Sequence, residues 1–510
     1  MNYFSTRNDS KKITAACAIA HGLAPDGGLY VPETLPRLTR GELDELCRMD
    51  YCARAVTILG LFLEEFTQDE LEGFVGRAYS DNFDDPAIAP LRFTDDKTAF
   101  LELWHGPTCA FKDMALQMLP HLLTASLKKT GEEKQVCILV ATSGDTGKAA
   151  LEGFRDVDGT KIFVFYPKDG VSDIQKLQMI TQEGKNVGVC SVIGNFDDAQ
   201  TGVKRIFGDR EFNEKLARRG YFLSSANSIN WGRLLPQIVY YFSAYCDYVN
   251  SGKLKMGEEL VFCVPTGNFG NILAGWYAKS MGLPAGGFVC ASNENNVLTD
   301  FINTGVYDKN RPFHTTISPS MDILVSSNLE RLLYAAAGSE MTRGFMEQLS
   351  GEGRYDAGEA VREVIARDFA SGFCDDVQTK RTIREMFDEK GYLMDTHTAV
   401  ACKVLSDYRA RTGDGRCAVV VSTASPFKFA ADVLDALGCG CEGDPLSALA
   451  ERSGCPIPRP LSGLESRPVR FDAATEKDAM RDAVDGFLKK KMSRKSRWDF
   501  LDRSASLFVK

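Results

Sequence analysis

Nowhere in the 510 residues is there a run of 18 apolar residues, so nothing in the chain reads as a membrane-spanning helix. The opening stretch, Met1-Asn-Tyr-Phe-Ser-Thr-Arg7 and beyond, lacks the apolar centre of a secretory leader, and no address signal closes the other end. Histidine is scarce: there are five, too widely spaced to suggest a metal cluster. The 15 cysteines show no paired CxxC spacing, and only Cys439-Gly440-Cys441 is clustered. An odd number spread this widely reads as reduced thiols. Positive charge is not in excess either. With 60 Lys and Arg against 69 Asp and Glu, the net charge of −9 argues against general affinity for nucleic acid or an anionic membrane. Internal repeats, low-complexity tracts, a Walker A loop and a GxGxxG fingerprint are also missing. The expected compartment is the cytoplasm, and an anionic small partner must be met by a local cationic site.

What is present is the 44 % apolar, 25 % charged balance of a globular protein long enough for two or three domains. Residues 1–90 read as mixed, with helical character over Ile13–His21, a turn-rich break over Gly22–Gly28 and a short strand near Leu29–Val31. Helical periodicity follows over Leu43–Phe66 and Asp69–Tyr79. From about 95 to 290, strands, glycine-bearing turns and helices alternate. Strands are expected at Thr98–Trp104, Gln135–Ala141, Ile162–Tyr166, Val187–Val192 and Leu260–Val264. Helices are expected at Lys148–Phe154, Val171–Thr181, Asp197–Leu216, Leu234–Tyr248 and Asn271–Met281. This alternation predicts an α/β fold of doubly wound, mostly parallel sheets with helices on both faces. Beyond 291 the chain turns helical and polar, with Thr315–Ser327 as a structured loop, a strand at Cys417–Ser422 and a helix at Phe429–Leu437. The division expected is an N-terminal mixed domain over 1–92, two sheet lobes over 93–440 with the smaller around 105–230, and a C-terminal helical extension over 441–510. That extension ends in a basic stretch, Lys489–Arg497, which reads as a solvated helix terminus.

Chemistry gathers around Lys112, which follows Phe111 at the mouth of a short helix after the Gly106-Pro107 turn. A helix start disfavours a cation. A partly desolvated lysine there can have its pKa lowered and serve as an imine-forming amine or a base, although a solvated lysine also fits. Three strand ends deliver small-residue turns at Ser143–Gly147, Thr266–Gly270 and Thr423–Pro426. Thr266-Gly-Asn-Phe-Gly-Asn271 is the best phosphate cradle, since glycines let the backbone approach an oxyanion, yet it also fits a plain strand-to-helix turn. Asn227, Ser228, Asn230 and Arg233 meet at another helix start, where Arg233 offers the bidentate geometry phosphate prefers, or simply lies beyond a capping turn. An imine-forming lysine, a phosphate cradle and several strand-end turns together suggest pyridoxal 5'-phosphate.

At this point the chain resembles a family. Tyr3-Phe-Ser-Thr-Arg7, Ala24-Pro-Asp-Gly-Gly-Leu-Tyr-Val-Pro32, His105-Gly-Pro-Thr-Cys-Ala-Phe-Lys-Asp113 and Ala141-Thr-Ser-Gly-Asp-Thr-Gly147 are similar to threonine synthases. So are Ala226-Asn-Ser-Ile-Asn230, Pro265-Thr-Gly-Asn-Phe-Gly-Asn271, Ser318-Pro-Ser-Met-Asp-Ile323 and Ser422-Thr-Ala-Ser-Pro426. The similarity runs to about Phe471 and is to the longer branch, found in enteric bacteria and yeast, within the fold type II pyridoxal-phosphate enzymes. The resemblance implies that Lys112 carries the cofactor as a Schiff base, that Gly267, Asn268, Phe269, Gly270 and Asn271 form its phosphate loop, and that Thr423 meets the pyridine nitrogen. It implies that Ser143, Gly144 and Thr146 take the substrate carboxylate, with Asp145 beside the ring hydroxyl. Asn227 and Arg233 would grip the substrate phosphate, with Ser228 and Lys148 as further contributors. Asp145 stands where many fold type II enzymes have asparagine, Thr396 where this family commonly has proline and Ser425 where histidine is frequent; Cys109 is read as a packing residue.

The implied reaction takes O-phospho-L-homoserine and water to L-threonine and phosphate, on a monomer. Its rivals are a phospho-lyase of the same fold that releases a keto acid and a non-catalytic homologue that has kept the cofactor site. Tryptophan synthase β-type and cysteine synthase readings suffer because those enzymes carry different loops around the lysine and have no need of Arg233.

Overall fold

Leu260–Pro265 shows why the strands fall where they do. Leu260, Phe262 and Val264 enter one core while Val261 and Cys263 enter a second, so an unbroken apolar run is buried on both faces. Gln135–Ala141 behaves in the same way, with Val136, Ile138 and Val140 against the first core and Cys137 and Leu139 against a third. The structure, a computed structural model, describes residues 1–440 and 443–489.

Two sheets carry the fold. The larger orders its six strands as Phe369–Phe373, Ala285–Ser292, Leu260–Pro265, Ala418–Ser422, Thr98–Glu102 and Leu91–Phe93. All run parallel except the last, an antiparallel edge. The smaller has five parallel strands, ordered Ala474–Glu476, Val187–Ile193, Thr160–Pro167, Gln135–Ala141 and Tyr221–Ser224. Helix Thr396–Thr412 lies on the larger sheet with the second core between them. Helix Trp231–Asn250 covers the opposite face, its Tyr241 ring meeting Phe262 and Phe288. A three-stranded antiparallel sheet, ordered Asn8–Thr14, Asn2–Ser5 and Tyr30–Pro32, opens the chain.

Several elements differ from the sequence expectation, and capping explains most of them. Leu43–Phe66 divides into Arg40–Cys47 and Tyr51–Gly60 because the Asp50 carboxylate accepts the Ala53 N–H at 2.8 Å and starts a new helix. Asp197–Leu216 likewise divides into Phe196–Gly208 and Arg210–Arg218 at Asp209, which accepts the Phe212 N–H. The helix within Ile13–His21 begins only at Ala15, after the strand Asn8–Thr14. The segment after 443 is not wholly helical, for Ala474–Glu476 is the edge strand of the smaller sheet. Of the basic stretch Lys489–Arg497, all but Lys489 lies outside the described residues, as does Cys441. Among the described residues the cysteines are free thiols, and no helix is long and apolar enough to cross a membrane.

The strand order decides where function can sit. Thr98–Glu102, Ala418–Ser422 and Leu260–Pro265 are neighbours, and the chain leaving their carboxyl ends carries Lys112, Thr423 and Gly267–Asn271. In the smaller sheet, adjacent Gln135–Ala141 and Tyr221–Ser224 deliver Ser143–Thr146 and Asn227–Arg233.

Candidate active site

The Lys112 loop and the Thr423 turn are stitched together. Ala110 bridges Ala424, the Phe111 N–H donates to the Thr423 carbonyl at 2.8 Å, and the Ser425 N–H donates to the Cys109 carbonyl at 3.0 Å. Cys109 is buried with a φ of 59°, a left-handed setting that costs about 1–3 kcal/mol for a side chain of this kind and that the stitching holds in place. Directly after the loop, Asp113 accepts the Thr108 N–H and hydroxyl, each at 2.8 Å. Burial lifts its carboxyl to about 7 despite those bonds. Lys112 itself caps the short helix Asp113–Leu116, its amine 4.2 Å from the centre of the Phe111 ring. Desolvation above all, then the charges of Arg233 and Lys428, push that amine down to about 8 against the pull of Asp145.

Asp145 begins the helix Asp145–Gly153. Its Oδ1 receives Lys428 Nζ at 2.7 Å and Gln175 Nε2 at 2.9 Å, and its Oδ2 receives the Ser320 hydroxyl at 3.3 Å. The Gly144 before it has a φ of 137°, and a Cβ there would stand 2.4 Å from the Gln175 side chain, so only glycine brings that turn so close. Thr142 Oγ1 ties the turn by accepting the Gly144 and Gly147 N–H groups, each at 2.9 Å. Ser143 and Thr146 stay partly exposed on it. Lys148 faces elsewhere, its amine taken by Glu152 at 2.9 Å and by Gln182.

The Thr266–Asn271 turn is built as an anion cradle. The N–H groups of Gly267, Asn268 and Phe269 have no acceptor among the described residues, and those that open the helix Gly270–Ser280 are free by helix geometry. Phe269 adopts the left-handed region at φ 61°, which turns successive N–H groups to one side. Asn271 Oδ1 accepts the Tyr240 and Tyr241 hydroxyls at 2.6 and 2.8 Å, while its buried Nδ2 has no partner among the described residues. A Cβ on Gly267 would lie 2.5 Å from the Ser320 carbonyl, so this turn packs directly against the Ser318–Asp322 segment. There Asp322 accepts from Thr316, Asn293 and Asn295, which ties the segment to its neighbours. The Ser320 N–H donates to His397 Nε2 at 3.1 Å, which assigns that ring's proton to Nδ1, donating to Asp395 at 2.9 Å.

Arg233 lies in the first turn of the helix Trp231–Asn250, 2 % exposed. It donates to the Ala226 carbonyl, its Nε has no partner, and no carboxylate pairs with it among the described residues. Burial brings its guanidinium down to about 10. A buried cation without a counter-charge is costly, and an anionic ligand would relieve it. Asn230 is occupied with capping Gly232 and bonding the Ile19 carbonyl, Asn227 is exposed, and Ser228 accepts from Asn328.

Of the sequence-predicted residues, Lys148 turns away and Asn227 is exposed; the rest are joined by residues to which the sequence reading gave no role: Lys428, Gln175, Ser320, His397 and Asn328. A signal existed for Lys428, a lysine set between Phe427 and Phe429 five residues past Thr423, since an amine in so apolar a stretch requires an acceptor.

Three family descriptions match the chain: Threonine synthase N terminus over residues 2–79, Pyridoxal-phosphate dependent enzyme over 99–423, and Threonine synthase, C-terminal over 398–485. The chain is 43 % identical over 434 residues to Threonine synthase-like 1 of Homo sapiens, a match covering 82 % of this chain and 57 % of that protein. It therefore spans less than two thirds of that relative's length. It is 38 % identical over 465 residues to the threonine synthase of Saccharomyces cerevisiae, covering 85 % of this chain and 89 % of that one. The crystal structure of PLP-bound threonine synthase from Brucella melitensis superposes with a TM-score of 0.85 at 36 % identity, covering 96 % of this chain and all of that one.

Proposed function

Because this chain belongs to the threonine synthase family of pyridoxal-phosphate dependent enzymes, we propose that it converts O-phospho-L-homoserine and water to L-threonine and phosphate. The observation that carries the reading is a local surplus of positive charge: Lys112, Arg233 and Lys428 influence one site, and among the described residues only Asp145 pairs with any of them. In an acidic protein such a surplus suits ligands that bring more than one anion. The free N–H groups of the Gly267–Phe269 turn and the unpartnered Asn271 Nδ2 fit one phosphate, and Arg233 with its unpartnered Nε fits another.

Bound here, pyridoxal 5'-phosphate would supply an aldehyde and an electron sink that acidifies the substrate's Cα and Cβ protons. In this reading Lys112 would hold the cofactor through its amine, and that amine would take protons from the substrate's Cα and Cβ and return them at Cγ and Cα, with water adding at Cβ. Gly267, Asn268, Phe269, Gly270 and Asn271 would grip the cofactor phosphate, Thr423 would offer its ring nitrogen a neutral hydroxyl, and Asp145 would serve its ring oxygen. Ser143, Gly144 and Thr146 take the substrate carboxylate at a helix start. Asn227, Ser228 and Arg233 bind the substrate phosphate and favour its departure as a dianion. The same reading makes the protein a cytoplasmic monomer divided near residues 92 and 440.

Incubation of the cofactor-loaded protein with O-phospho-L-homoserine tests it. Threonine and phosphate should appear in equal amounts. Phosphate with a 2-oxo acid and no threonine would establish plain elimination instead, and no phosphate at all would refute both.

A further inference from the structure

Asn328 is fully buried and touches two turns at once. Its Nδ2 donates to the Asn268 carbonyl at 3.0 Å and to Ser228 Oγ at 3.2 Å, and its backbone N–H donates to the same Asn268 carbonyl at 3.1 Å. Asn268 belongs to the cradle, Ser228 to the turn that leads into Arg233. The Asn328 Oδ1 is fixed in turn by Arg331 Nη1. Arg331, also fully buried, reaches with Nη2 to the Ile229 carbonyl at 2.6 Å, next to Ser228, and with Nε to the Tyr30 carbonyl at 3.0 Å. Its acceptors are all neutral oxygens. A Cβ on neighbouring Gly270 would meet Asn328 Nδ2 at 3.4 Å and Ser228 at 3.8 Å, ordinary contact distances that place this residue against the junction.

We propose that Asn328, locked by Arg331, is a positioning residue that holds the cofactor-phosphate turn and the substrate-phosphate turn in one fixed relation. The proposal rests on the assignment of the two turns given above. A primary amide has two N–H donors, and here each goes to a different turn. If either turn moved away, a buried donor would lose its acceptor, so the two turns keep register together. Arg331 removes the remaining freedom: its planar head holds the amide oxygen on one side and the backbone of the second turn on the other. Any group that strengthens one turn then favours the arrangement the other needs, and the effect is reciprocal.

Asn328→Leu keeps the branched shape and adds no charge while removing both side-chain donors. Arg331→Lys keeps the charge but cannot hold Asn328 and Ile229 together. Two constants are read on each full-length variant: the Kd for pyridoxal phosphate, from absorbance titration of the apoprotein, and the KM for O-phospho-L-homoserine at saturating cofactor. Both should rise about five- to tenfold, the loss of one buried hydrogen bond, with kcat within about twofold. A rise in only one constant would assign Asn328 to one turn and overturn the proposal. A lower Tm with both constants unchanged would overturn it too, leaving Asn328 an ordinary structural residue. If the unsubstituted protein binds O-phospho-L-homoserine without turnover, the proposed function fails; the spectral Kd for that ligand then replaces KM, and the same outcomes judge the bracket.

Discussion

Lys428 donates to Asp145 across 2.7 Å, and neither side chain meets solvent, at 0 % and 4 % exposure. Burial alone would raise the carboxyl. The charge and hydrogen bond of Lys428, then the bond from Gln175, reverse that and hold it at about 2. The same amine donates to the Thr108 carbonyl at 3.0 Å, so the pair also braces the loop that carries Lys112.

Breaking this pair from either side should be strongly destabilising. Asp145→Asn or Lys428→Met alone is expected to lose about 3–5 kcal/mol of unfolding free energy, because each strands a buried charge or its partner. Urea unfolding of the double variant should show a loss smaller than the sum of the two. Because the folded-state value lies below the usual one, the stabilisation from Asp145 is present above about pH 4 and is lost as pH falls through about 2.

Lys112 should react as a lysine with a pKa near 8. The rate at which apoprotein captures pyridoxal phosphate, followed by absorbance, is expected to climb through about pH 8, since only the neutral amine attacks. A lysine at its ordinary value would keep climbing beyond about pH 10. Lys112→Ala should abolish both the capture signal and turnover.

Arg233 sets function against stability. Arg233→Lys loses a planar, charge-assisted bond to phosphate and should raise KM about ten- to a hundredfold. Arg233→Met should abolish efficient phosphate loss, yet raise the Tm of the apoprotein, because it removes a buried guanidinium that has no carboxylate partner among the described residues. Calorimetry on the cofactor-free protein reads that second effect.

His105, at the entry to the Lys112 loop, sits between Asp84 at 2.6 Å and Glu102 at 3.0 Å. Burial works against its charge, but the bonds to Asp84 and Glu102 prevail and raise it to about 9. Its contribution to stability is complete below about pH 6.5 and is lost as pH rises through about 9, amounting to at most about 3 kcal/mol. Denaturant unfolding at pH 6 and pH 10 should differ less in His105→Gln than in the unsubstituted protein.

The strands were legible because Gln135–Ala141 and Leu260–Pro265 are buried on both faces and so must read as apolar runs. The glycine turns after them were legible because Gly144 and Gly267 approach other groups too closely for a side chain. Helix breaks were harder, since Asp50 and Asp209 interrupt the text by capping, and an aspartate inside a helical pattern looks the same on paper. Lys428, Gln175, Ser320 and Asn328 escaped because no spacing links them to Lys112. They arrive from separate elements, and only folding makes them neighbours.

The edge strand Ala474–Glu476 has a consequence for how the chain tolerates shortening. It pairs along Val187–Ile193, whose last residue is already 46 % exposed, and so occupies hydrogen-bonding groups that would otherwise face outward. Cleavage ahead of it would leave a bare β edge two strands away from the one that leads to Asp145. Such a product should fail first by sticking to its own copies, with its chemistry still intact.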